Sequence, residues 1–469
     1  MNQLPNKPII LWLGVFSLAN LFFNTTAQAN LREDVFGAGA RVKAMAGAGT
    51  AVAMDWSAIY YNPANMAFAP QSSMSIAFEH QNYNLTIDDD DAFPTPDELR
   101  PRNSLTLGMT MKIPFNISFG AMIQFGLERA QYFDQATMDA TPRYHFYGQN
   151  LEQLSIMFGF AFEPIDGLSL GVALAPLVNS ELILNTDVPI YSGERELSGR
   201  FAWNLIPNAT WYLGIHYNPV EEFHLALSYR TRMYHKLDAN ADIIVALFGA
   251  DFAFEELLLQ SYSWYSPQQI ALGASFAPID DLLIGFDITW YEWSASLGPY
   301  VSAAFQEQLD AAAASDDGNQ EDEIEDIESP SIADTVNLPP VPDVGFRDIF
   351  VPRVGIEWLL FNQTVALRGG YRFQTTPVPQ PDGRTNLLDS NTHFFSFGTG
   401  YTYFPPWQDK GPTEAYSSQD PLSISADIYG TIGLVTEREI DKGESQEVLN
   451  DYTFGGVVYD VGLMITARF

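Results

Sequence analysis

The sequence predicts an all-β fold, a transmembrane antiparallel β-barrel of about 14 strands with an N-terminal hatch (plug) inside the lumen. Segments of about ten residues alternate apolar with polar side chains, as a strand with one apolar face does. The connections between these segments are alternately short and long, and an N-terminal stretch rich in glycine and alanine shows no alternation. The first two observations predict the barrel wall, and the third predicts the hatch.

The clearest alternating segment runs from Ile117 to Glu128, where every odd-numbered residue is apolar and most even-numbered residues are polar or glycine. Residues 282–290 and 422–428 repeat this pattern. Strands of soluble sandwiches alternate as well, but they cluster near 5 or 6 residues, whereas about 10 residues are needed to cross a bilayer at a tilt. The length of the segments therefore favours a membrane barrel.

Short connections occur at residues 114–116, 164–167, 218–221, 278–281 and 361–363, which predicts periplasmic turns on one side and extracellular loops on the other. We expect the barrel to span residues 71–469, with notable long loops at 238–264 and 295–346. Its predicted strands lie near residues 73–84, 103–112, 117–128, 152–163, 168–180, 200–216, 222–235, 266–277, 282–293, 348–359, 364–374, 392–404, 422–435 and 453–469.

Both ends of the chain predict export to an outer membrane. Lys7 precedes a predominantly apolar run of 15 residues, Ile9–Phe23, and a small-x-small pattern follows at Ala27–Ala29, so residues 1–29 are expected to be a signal peptide. A membrane anchor is the alternative, but the apolar run is shorter than the roughly 20 residues of a spanning helix. The alternating segment Tyr459–Phe469 ends on an aromatic residue and resembles the terminal strand that barrel-assembly machinery reads, which makes that machinery an expected partner.

Composition excludes several classes of function. The net charge of −35 argues against nucleic-acid binding, because clustered Lys and Arg are absent. The acidic runs Asp88–Asp91 and Asp310–Glu328 are expected to be solvated loops, although divalent-cation binding stays an alternative. The chain has no cysteine, only six histidines and no Gly-x-Ser-x-Gly motif. We therefore predict no catalytic residues, no metal site and no cofactor.

The stretch between the signal peptide and the first strand resembles the hatch of the FadL family of outer-membrane transporters. The resemblance rests on Gly37–Arg41, on Met45–Ala53 and on the triplet Asn62, Pro63 and Ala64. We place the hatch at residues 30–70 and its motif at Gly47, Gly49, Asn62, Pro63 and Ala64. The two glycines superficially match a dinucleotide loop, but no βαβ unit surrounds them.

The resemblance implies a Gram-negative-type outer membrane, contact with its lipid and lipopolysaccharide, and transport of long-chain fatty acids or aromatic hydrocarbons. It also implies that the extreme N-terminus reaches the ligand pocket, which nominates Leu31 and Phe36 as ligand-binding residues.

A second set of candidate ligand residues lies in the long loop after the seventh strand. Apolar residues recur there at helical spacing, with a break at Gly249 and a potential helix cap at Asp251. Two short helices could form a hydrophobic groove, or they could simply pack on each other and on the barrel rim. The candidate residues are Ile244, Leu247, Phe248, Phe254, Leu257 and Leu258.

A third set consists of arginines that strand parity places in the lumen, namely Arg230, Arg232, Arg368 and Arg372. They could bind a substrate carboxylate. The favoured alternative is ion pairing with the hatch or with lumen acids such as Glu128, Asp287 and Asp460. Pro176 and Pro207 interrupt predicted strands and mark either a bulge or a lateral opening.

Three functions remain for such a barrel. Diffusive uptake of hydrophobic small molecules leads, because an apolar solute needs an apolar path through a hydrated layer. A scaffold of a secretion or surface-attachment system is second, and an outer-membrane enzyme is third.

Overall fold

The fold is described from a computed structural model, which covers residues 32–88, 99–128, 143–147, 154–176, 183–189, 196–205, 209–247, 250–296, 300–305, 345–380, 387–405, 422–441 and 451–469. Fourteen antiparallel strands close into a barrel, and the last strand pairs with the first. In chain order these are β1 Ser73–Asp88, β2 Arg102–Ile113, β3 Ile117–Gly126, β5 Ser155–Ile165, β6 Leu168–Pro176, β9 Ala209–Val220, β10 Phe223–Arg230, β13 Gln269–Ile279, β14 Leu282–Tyr291, β16 Ile349–Leu360, β17 Val365–Gln374, β19 Thr392–Tyr403, β20 Ser423–Ile440 and β21 Tyr452–Arg468.

The predicted fold class and strand number are confirmed, and each predicted segment overlaps one strand of the barrel. The segment predicted at 200–216 was wrong in one respect, because it joins the end of another strand, β8 (Glu196–Leu205), to the beginning of β9. Pro176 is the last residue of β6, so it ends a strand and does not kink its middle. Pro207 lies outside the described residues.

The short connections lie together at one end of the barrel, which we call the turn end. In two of them the backbone adopts left-handed conformations, at Phe115 and Asn116 and again at Phe361–Gln363. The long connections leave the opposite end, which we call the loop end. Among the described residues, the alternation of connection lengths predicted from the sequence thus sorts the short turns to one end.

The wall of the barrel is apolar outside and polar inside. On β19, the side chain of Phe395 is 48% exposed and that of Phe397 is 57% exposed. Phe394 and Ser396, which alternate with them along the strand, face inward and are buried. All strands of the barrel except β3 carry large exposed apolar side chains in the same way, and the buried polar residues include Thr106, Ser118, Gln124 and Asp460. Because soluble proteins rarely expose an apolar surface of this extent, the wall is built to face lipid.

A five-stranded sheet stands apart from the barrel, in the order β15, β12, β11, β8 and β7. It corrects the prediction of two helices in the loop after the seventh strand. Ile244 and Leu247 lie on β11 (Met233–Leu247), and Phe254, Leu257 and Leu258 lie on β12 (Ala250–Ser266). Phe248 lies outside the described residues. Strand pairing gives the physical reason, since β11 and β12 form a long hairpin flanked by β8 and by β15 (Tyr300–Phe305), which satisfies backbone groups that short helices leave open. The remaining strand, β7 (Ile183–Pro189), pairs with β8.

The hatch lies inside the barrel. It contains three short helices and a 3-10 helix, α1 (Arg32–Phe36), α2 (Ala40–Ala44), α3 (Ala58–Tyr61) and Pro63–Phe68. Most of its side chains are buried. Its residues contact strands around the whole wall, including β2, β6, β9, β13, β16 and β19. Among the residues described, no helix is long and apolar enough to cross a membrane.

Candidate functional site

Glycines on the inner wall form a socket for the hatch. An added Cβ would lie 2.2 Å from the backbone nitrogen of Ala64 at Gly171, and 1.9 Å from Asn62 Oδ1 at Gly214. Neither contact leaves room for a side chain, so the hatch backbone approaches the wall more closely than other residues would permit. Seven further inward glycines meet hatch atoms in the same way, namely Gly108, Gly120, Gly273, Gly285, Gly355, Gly370 and Gly398.

The Asn62-Pro63-Ala64 triplet fastens the hatch to β6 and β9. The side chain of Asn62 accepts a hydrogen bond from the Ala64 amide at 3.1 Å, which caps the 3-10 helix. Its Nδ2 donates to the carbonyl oxygen of Ile215 on β9 at 3.0 Å. Ser169 Oγ of β6 donates to the Ala64 carbonyl at 2.8 Å. The motif on which the family resemblance rested is therefore a hatch anchor.

The two glycines of the hatch motif have different roles. Gly47 adopts a φ of 81°, which disfavours any side chain, and lies against the guanidinium of Arg353. The amide of Gly49 donates to Asp287 Oδ2 at 2.9 Å, and that oxygen also accepts from the Thr50 amide and hydroxyl. The predicted lumen acid Asp287 thus holds the hatch backbone, and Arg353 is its cross-strand partner.

A buried ion cluster joins the hatch to the seam of the barrel. Lys43 Nζ donates to Glu79 on β1 at 2.7 Å and to Asp460 on β21 at 3.1 Å, and also to the Tyr429 hydroxyl on β20 at 3.0 Å. The side chain of Lys43 is fully buried, and the two carboxylates are almost so. Removing one member of such a cluster would leave the others as buried charges without a partner, which is costly. This contact therefore fixes the hatch firmly.

A second ion cluster lies across β16, β17 and β20. Arg41 of α2 makes a bidentate contact with Glu357, at 2.6 and 2.9 Å. Arg368 reaches the same carboxylate at 2.6 Å and also donates to Asp427 at 2.6 Å. Planar guanidinium groups suit such shared carboxylates.

Three of the four arginines predicted in the lumen are paired with carboxylates. Arg368 belongs to the cluster just described, and Arg230 makes a bidentate contact with Asp34 of α1 at 2.5 and 2.8 Å. Arg232 pairs with Glu292 at 2.9 Å and is 44% exposed. Arg372 alone among the four meets no carboxylate in the described part of the chain, and its Nη2 donates to the Val35 carbonyl at 2.6 Å. The other predicted lumen acid, Glu128, accepts from Asn103.

Above the hatch, at the loop end, lies a closed cluster of aromatic and aliphatic side chains, which we call the aromatic cluster. Val35 and Phe36 of α1 form its floor, so one of the two N-terminal residues predicted to bind ligand lies within it. The other, Leu31, lies outside the described residues. The strands and a short 3-10 helix after β14 (Trp293–Ala295) contribute Tyr83, Leu85, Tyr291, Trp293, Ile349, Val351 and Phe394, and the loops contribute Tyr144, Phe146, Tyr147, Phe346, Val378 and Leu388.

Two loop segments close the top of this cluster, and we call residues 143–147 and 387–391 the loop lid. Their short strands, β4 (Arg143–Tyr144) and β18 (Leu387–Leu388), pair in parallel, and the His145 amide donates to the Leu388 carbonyl at 2.8 Å. The His145 ring meets Trp293 at a centroid distance of 5.0 Å. The lid is held to the wall where Tyr144 OH donates to the Thr86 carbonyl.

One carboxyl group of the loop lid is buried without an ion pair at its side chain. Burial raises the pKa of Asp389 to about 7, against the pull of the hydrogen bonds that it accepts. Arg438 donates to the backbone carbonyl of Asp389 at 2.8 Å, and one carboxyl oxygen has no partner among the described residues. The lid therefore contains a group that titrates near neutral pH.

Between the hatch and the barrel wall lies a small polar cavity of about 40 Å³. Tyr60, Tyr61, Tyr212 and Tyr291 line it together with three arginines, Arg230, Arg353 and Arg372. Glu33 also faces it, and burial raises the pKa of this carboxyl. Strand parity could have indicated Arg353, but its contacts with Gly47 could not be foreseen from sequence.

Comparison with known proteins supports the architecture. A FadL homologue from Pseudomonas aeruginosa superimposes with a TM-score of 0.56 at 14% identity, covering 95% of this chain and 98% of that protein. The toluene transporter TodX from P. putida superimposes with a TM-score of 0.52, also at 14% identity, covering 93% and 99%. The chain has the FadL-type fold. The resemblance inferred from the hatch residues is thus confirmed for the architecture.

This FadL-type barrel also has a relative in sequence. Alkane uptake protein A from Marinobacter nauticus is 24% identical over 364 residues, which cover 74% of each chain. A further structural neighbour is the monoaromatic hydrocarbon channel CymD, at 15% identity and a TM-score of 0.52 over 92% of this chain and 97% of that one. No family model matches the sequence. The relatives are named as uptake proteins, transporters and channels rather than as enzymes.

Proposed function

We propose that this protein is an outer-membrane channel for the diffusive uptake of hydrophobic small molecules, either long-chain fatty acids or hydrocarbons. The observation that carries the proposal is the aromatic cluster at the loop end, with Phe36 of the hatch as part of its floor. A channel for polar solutes needs a polar mouth. Here the mouth of a barrel with a lipid-facing wall is filled by aromatic side chains.

The energetics of transfer favour this assignment. An apolar solute gains roughly 25 cal/mol for each Å² of its surface that leaves water. A site among aromatic side chains that move aside is therefore more favourable for the solute than the surrounding water. On the path of a solute through the barrel, the aromatic cluster would form a closed gate at the loop end, and the anchored hatch would fill the lumen below it. The names of the relatives, which include alkane, toluene and monoaromatic hydrocarbon channels, support the same substrate class.

The proposal includes the location and the processing of the chain. A Gram-negative-type outer membrane suits the lipid-facing wall, with the loop end outward and the turn end toward the periplasm. Residues 1–29 would be removed as a signal peptide, and residues 30–70 would form the hatch. Lipopolysaccharide and barrel-assembly machinery would be partners at the surface and during biogenesis. We propose no catalytic role.

Uptake by whole cells tests the proposal. The chain is expressed in a Gram-negative strain that lacks channels for hydrophobic compounds, and the initial uptake of radiolabelled hexadecane, toluene and hexadecanoate is measured. We expect uptake of at least one compound above the empty-vector level. Absence of uptake above that level for all three, from a correctly folded barrel, contradicts the proposal.

Two neighbouring phenylalanines on β19 provide matched variants. Phe394 faces the aromatic cluster and is 1% exposed, whereas Phe395 faces outward and is 48% exposed. We expect Phe394→Ala to lower uptake severalfold, because a fully buried Phe accounts for about 1.5–3 kcal/mol of apolar burial. Phe395→Ala should leave uptake unchanged. Equal losses in both variants would show that the cluster has no special role.

A further inference from the structure

Two ring nitrogens at the top of the aromatic cluster are buried without a hydrogen-bond partner. His145 of the loop lid is 5% exposed, and Trp293 of the 3-10 helix after β14 is 1% exposed. Neither His145 Nε2 nor Trp293 Nε1 has a partner among the described residues. A buried polar atom that makes no hydrogen bond costs free energy, so both positions need an explanation other than packing.

Packing alone would favour an apolar residue at position 145. The imidazole of His145 lies among aromatic rings, with its centroid 5.0 Å from that of Trp293 and 5.1 Å from that of Phe346. The ring of Phe146 contacts it at 4.6 Å. A phenylalanine would place a ring here without an unsatisfied nitrogen. His145 thus gives the cluster a hydrogen-bonding group that its packing does not require.

The two rings belong to different parts of the molecule. His145 moves with the loop lid, because its amide donates to the Leu388 carbonyl of the other lid segment. Trp293 is held beside the wall, because the adjacent Ser294 amide donates to Asp348 Oδ1 at 2.9 Å just before β16. An opening of the lid would therefore separate the two rings and present both nitrogens to an incoming solute.

The electrostatics of the pair select an uncharged ligand. Burial lowers the pKa of His145 to about 3, so its ring is neutral at physiological pH. The indole N–H of Trp293 only donates, whereas Nε2 of a neutral imidazole donates or accepts according to its tautomer. A hydroxyl group both donates and accepts, so it suits either tautomer. A carboxylate would lose its hydration at these two neutral rings without gaining a counter-charge.

We propose that His145 and Trp293 form a hydrogen-bonding site for the hydroxyl group of an uncharged amphiphile, such as a long-chain primary alcohol, whose alkyl chain packs in the aromatic cluster. This inference rests on the proposed function and deepens it, because it lets the loop end distinguish an alcohol from a hydrocarbon of the same length. His145 and Trp293 become specificity-determining residues of the loop end.

Equilibrium binding of two ligands of one chain length tests the site. Purified protein in amphipol is titrated with tritium-labelled 1-dodecanol and dodecane, and the ratio of the two affinities is taken as the alcohol preference. His145→Phe and Trp293→Phe each keep an aromatic ring and remove the nitrogen. Each should lower the alcohol preference about fivefold, the usual effect of one hydrogen bond.

A matched control makes the same change on the outer face of the wall. His393 of β19 also lies against an aromatic ring, with its centroid 4.7 Å from that of Phe373. His393→Phe should keep the wild-type alcohol preference. The use of a ratio separates hydrogen bonding from packing, since a change in packing alters the affinities of both ligands together.

The remaining outcomes separate this site from the channel itself. If both lid variants keep the wild-type ratio, the nitrogens do not bind the ligand, and the site is overturned while the channel stands. If wild type binds neither dodecanol nor dodecane, the proposed function is contradicted.

A ligand series on wild type covers the case in which the variants do not fold. Affinities for 1-dodecanol and 1-chlorododecane are divided by the alkane–water partition coefficient of each compound. The normalised affinity of the alcohol should be at least about tenfold higher, because the chloride is a poor hydrogen-bonding group. Equal normalised affinities contradict the site.

Discussion

The lower lumen and the loop end of this barrel are held by different kinds of contact. In the lower lumen, hatch backbone lies against wall glycines, and buried ion clusters fix α2 to five strands of the wall. At the loop end, nonpolar packing among aromatic side chains dominates, and only a two-residue bridge and a few hydrogen bonds order the lid. Directional contacts with exact partners resist displacement, whereas apolar packing tolerates rearrangement. From this comparison we propose that the gate lies at the loop end and that the hatch is the fixed part.

Locking the loop lid should have the largest effect on transport. Arg143 and Leu387 are backbone partners in the parallel bridge, and the absence of native cysteine makes a double Cys variant unambiguous. Oxidised Arg143→Cys/Leu387→Cys should lose uptake completely, and a reductant should restore it. Each single Cys variant is the control, and unimpaired uptake by the oxidised double variant would place the gate elsewhere.

Breaking the ion cluster of the hatch should have the largest effect on stability. Lys43→Met leaves Glu79 and Asp460 buried without their cation, which should lower the free energy of unfolding by about 3–5 kcal/mol. Urea unfolding in lipid vesicles measures this change. Arg232→Met removes an exposed pair and should cost less than about 1 kcal/mol. Similar losses of unfolding free energy in the two variants would contradict a special role of the Lys43 cluster in anchoring the hatch.

Filling the glycine socket should have an intermediate effect. Gly171→Ala would place a Cβ 2.2 Å from the Ala64 amide nitrogen, which cannot move as a flexible side chain would. We expect a loss of about 1–3 kcal/mol, the usual cost of overpacking. Gly369→Ala on β17 is the control, because its nearest neighbour would be 3.8 Å away. An unchanged free energy of unfolding for Gly171→Ala would mean that the hatch shifts easily to make room for the added Cβ.

The smallest effect is expected from pH at the loop lid. Closed, the lid holds Asp389 with a pKa of about 7, whereas the opened lid returns the carboxyl to its ordinary value of 3.8. Opening therefore releases a proton between these values, and the advantage of the closed lid falls as pH rises from about 4 through 7.

Hydrogen exchange of the amides at residues 387–392, corrected for intrinsic rates, measures this opening. We expect the open lid to be about tenfold more populated at pH 8 than at pH 6, equivalent to roughly 1.4 kcal/mol. Asp389→Asn should remove the dependence. If Asp389→Asn keeps the pH dependence, the titrating group is a different residue.

The sequence by itself determined the wall and the sorting of turns and loops, and it singled out the N-terminal segment that lies inside the barrel. Alternation with a period of two is a local property, because each side chain of a barrel strand faces either lipid or lumen. The triplet at Asn62–Ala64 was equally informative, since its contacts with β6 and β9 depend on that local sequence. Arginine parity also placed Arg230, Arg368 and Arg372 correctly in the lumen.

Tertiary structure decided the partners. No local pattern shows that Lys43 meets Asp460 or that Arg353 lies beside Arg372, because these contacts depend on how a closed barrel brings distant strands together. The structure also has strands where helices were predicted between Ile244 and Leu258. A segment with apolar residues at helical spacing can satisfy its backbone hydrogen bonds in a hairpin as well, because β8 and β15 pair with its outer edges. The aromatic cluster was invisible for the same reason, as its members come from the hatch, the strands and the loops together.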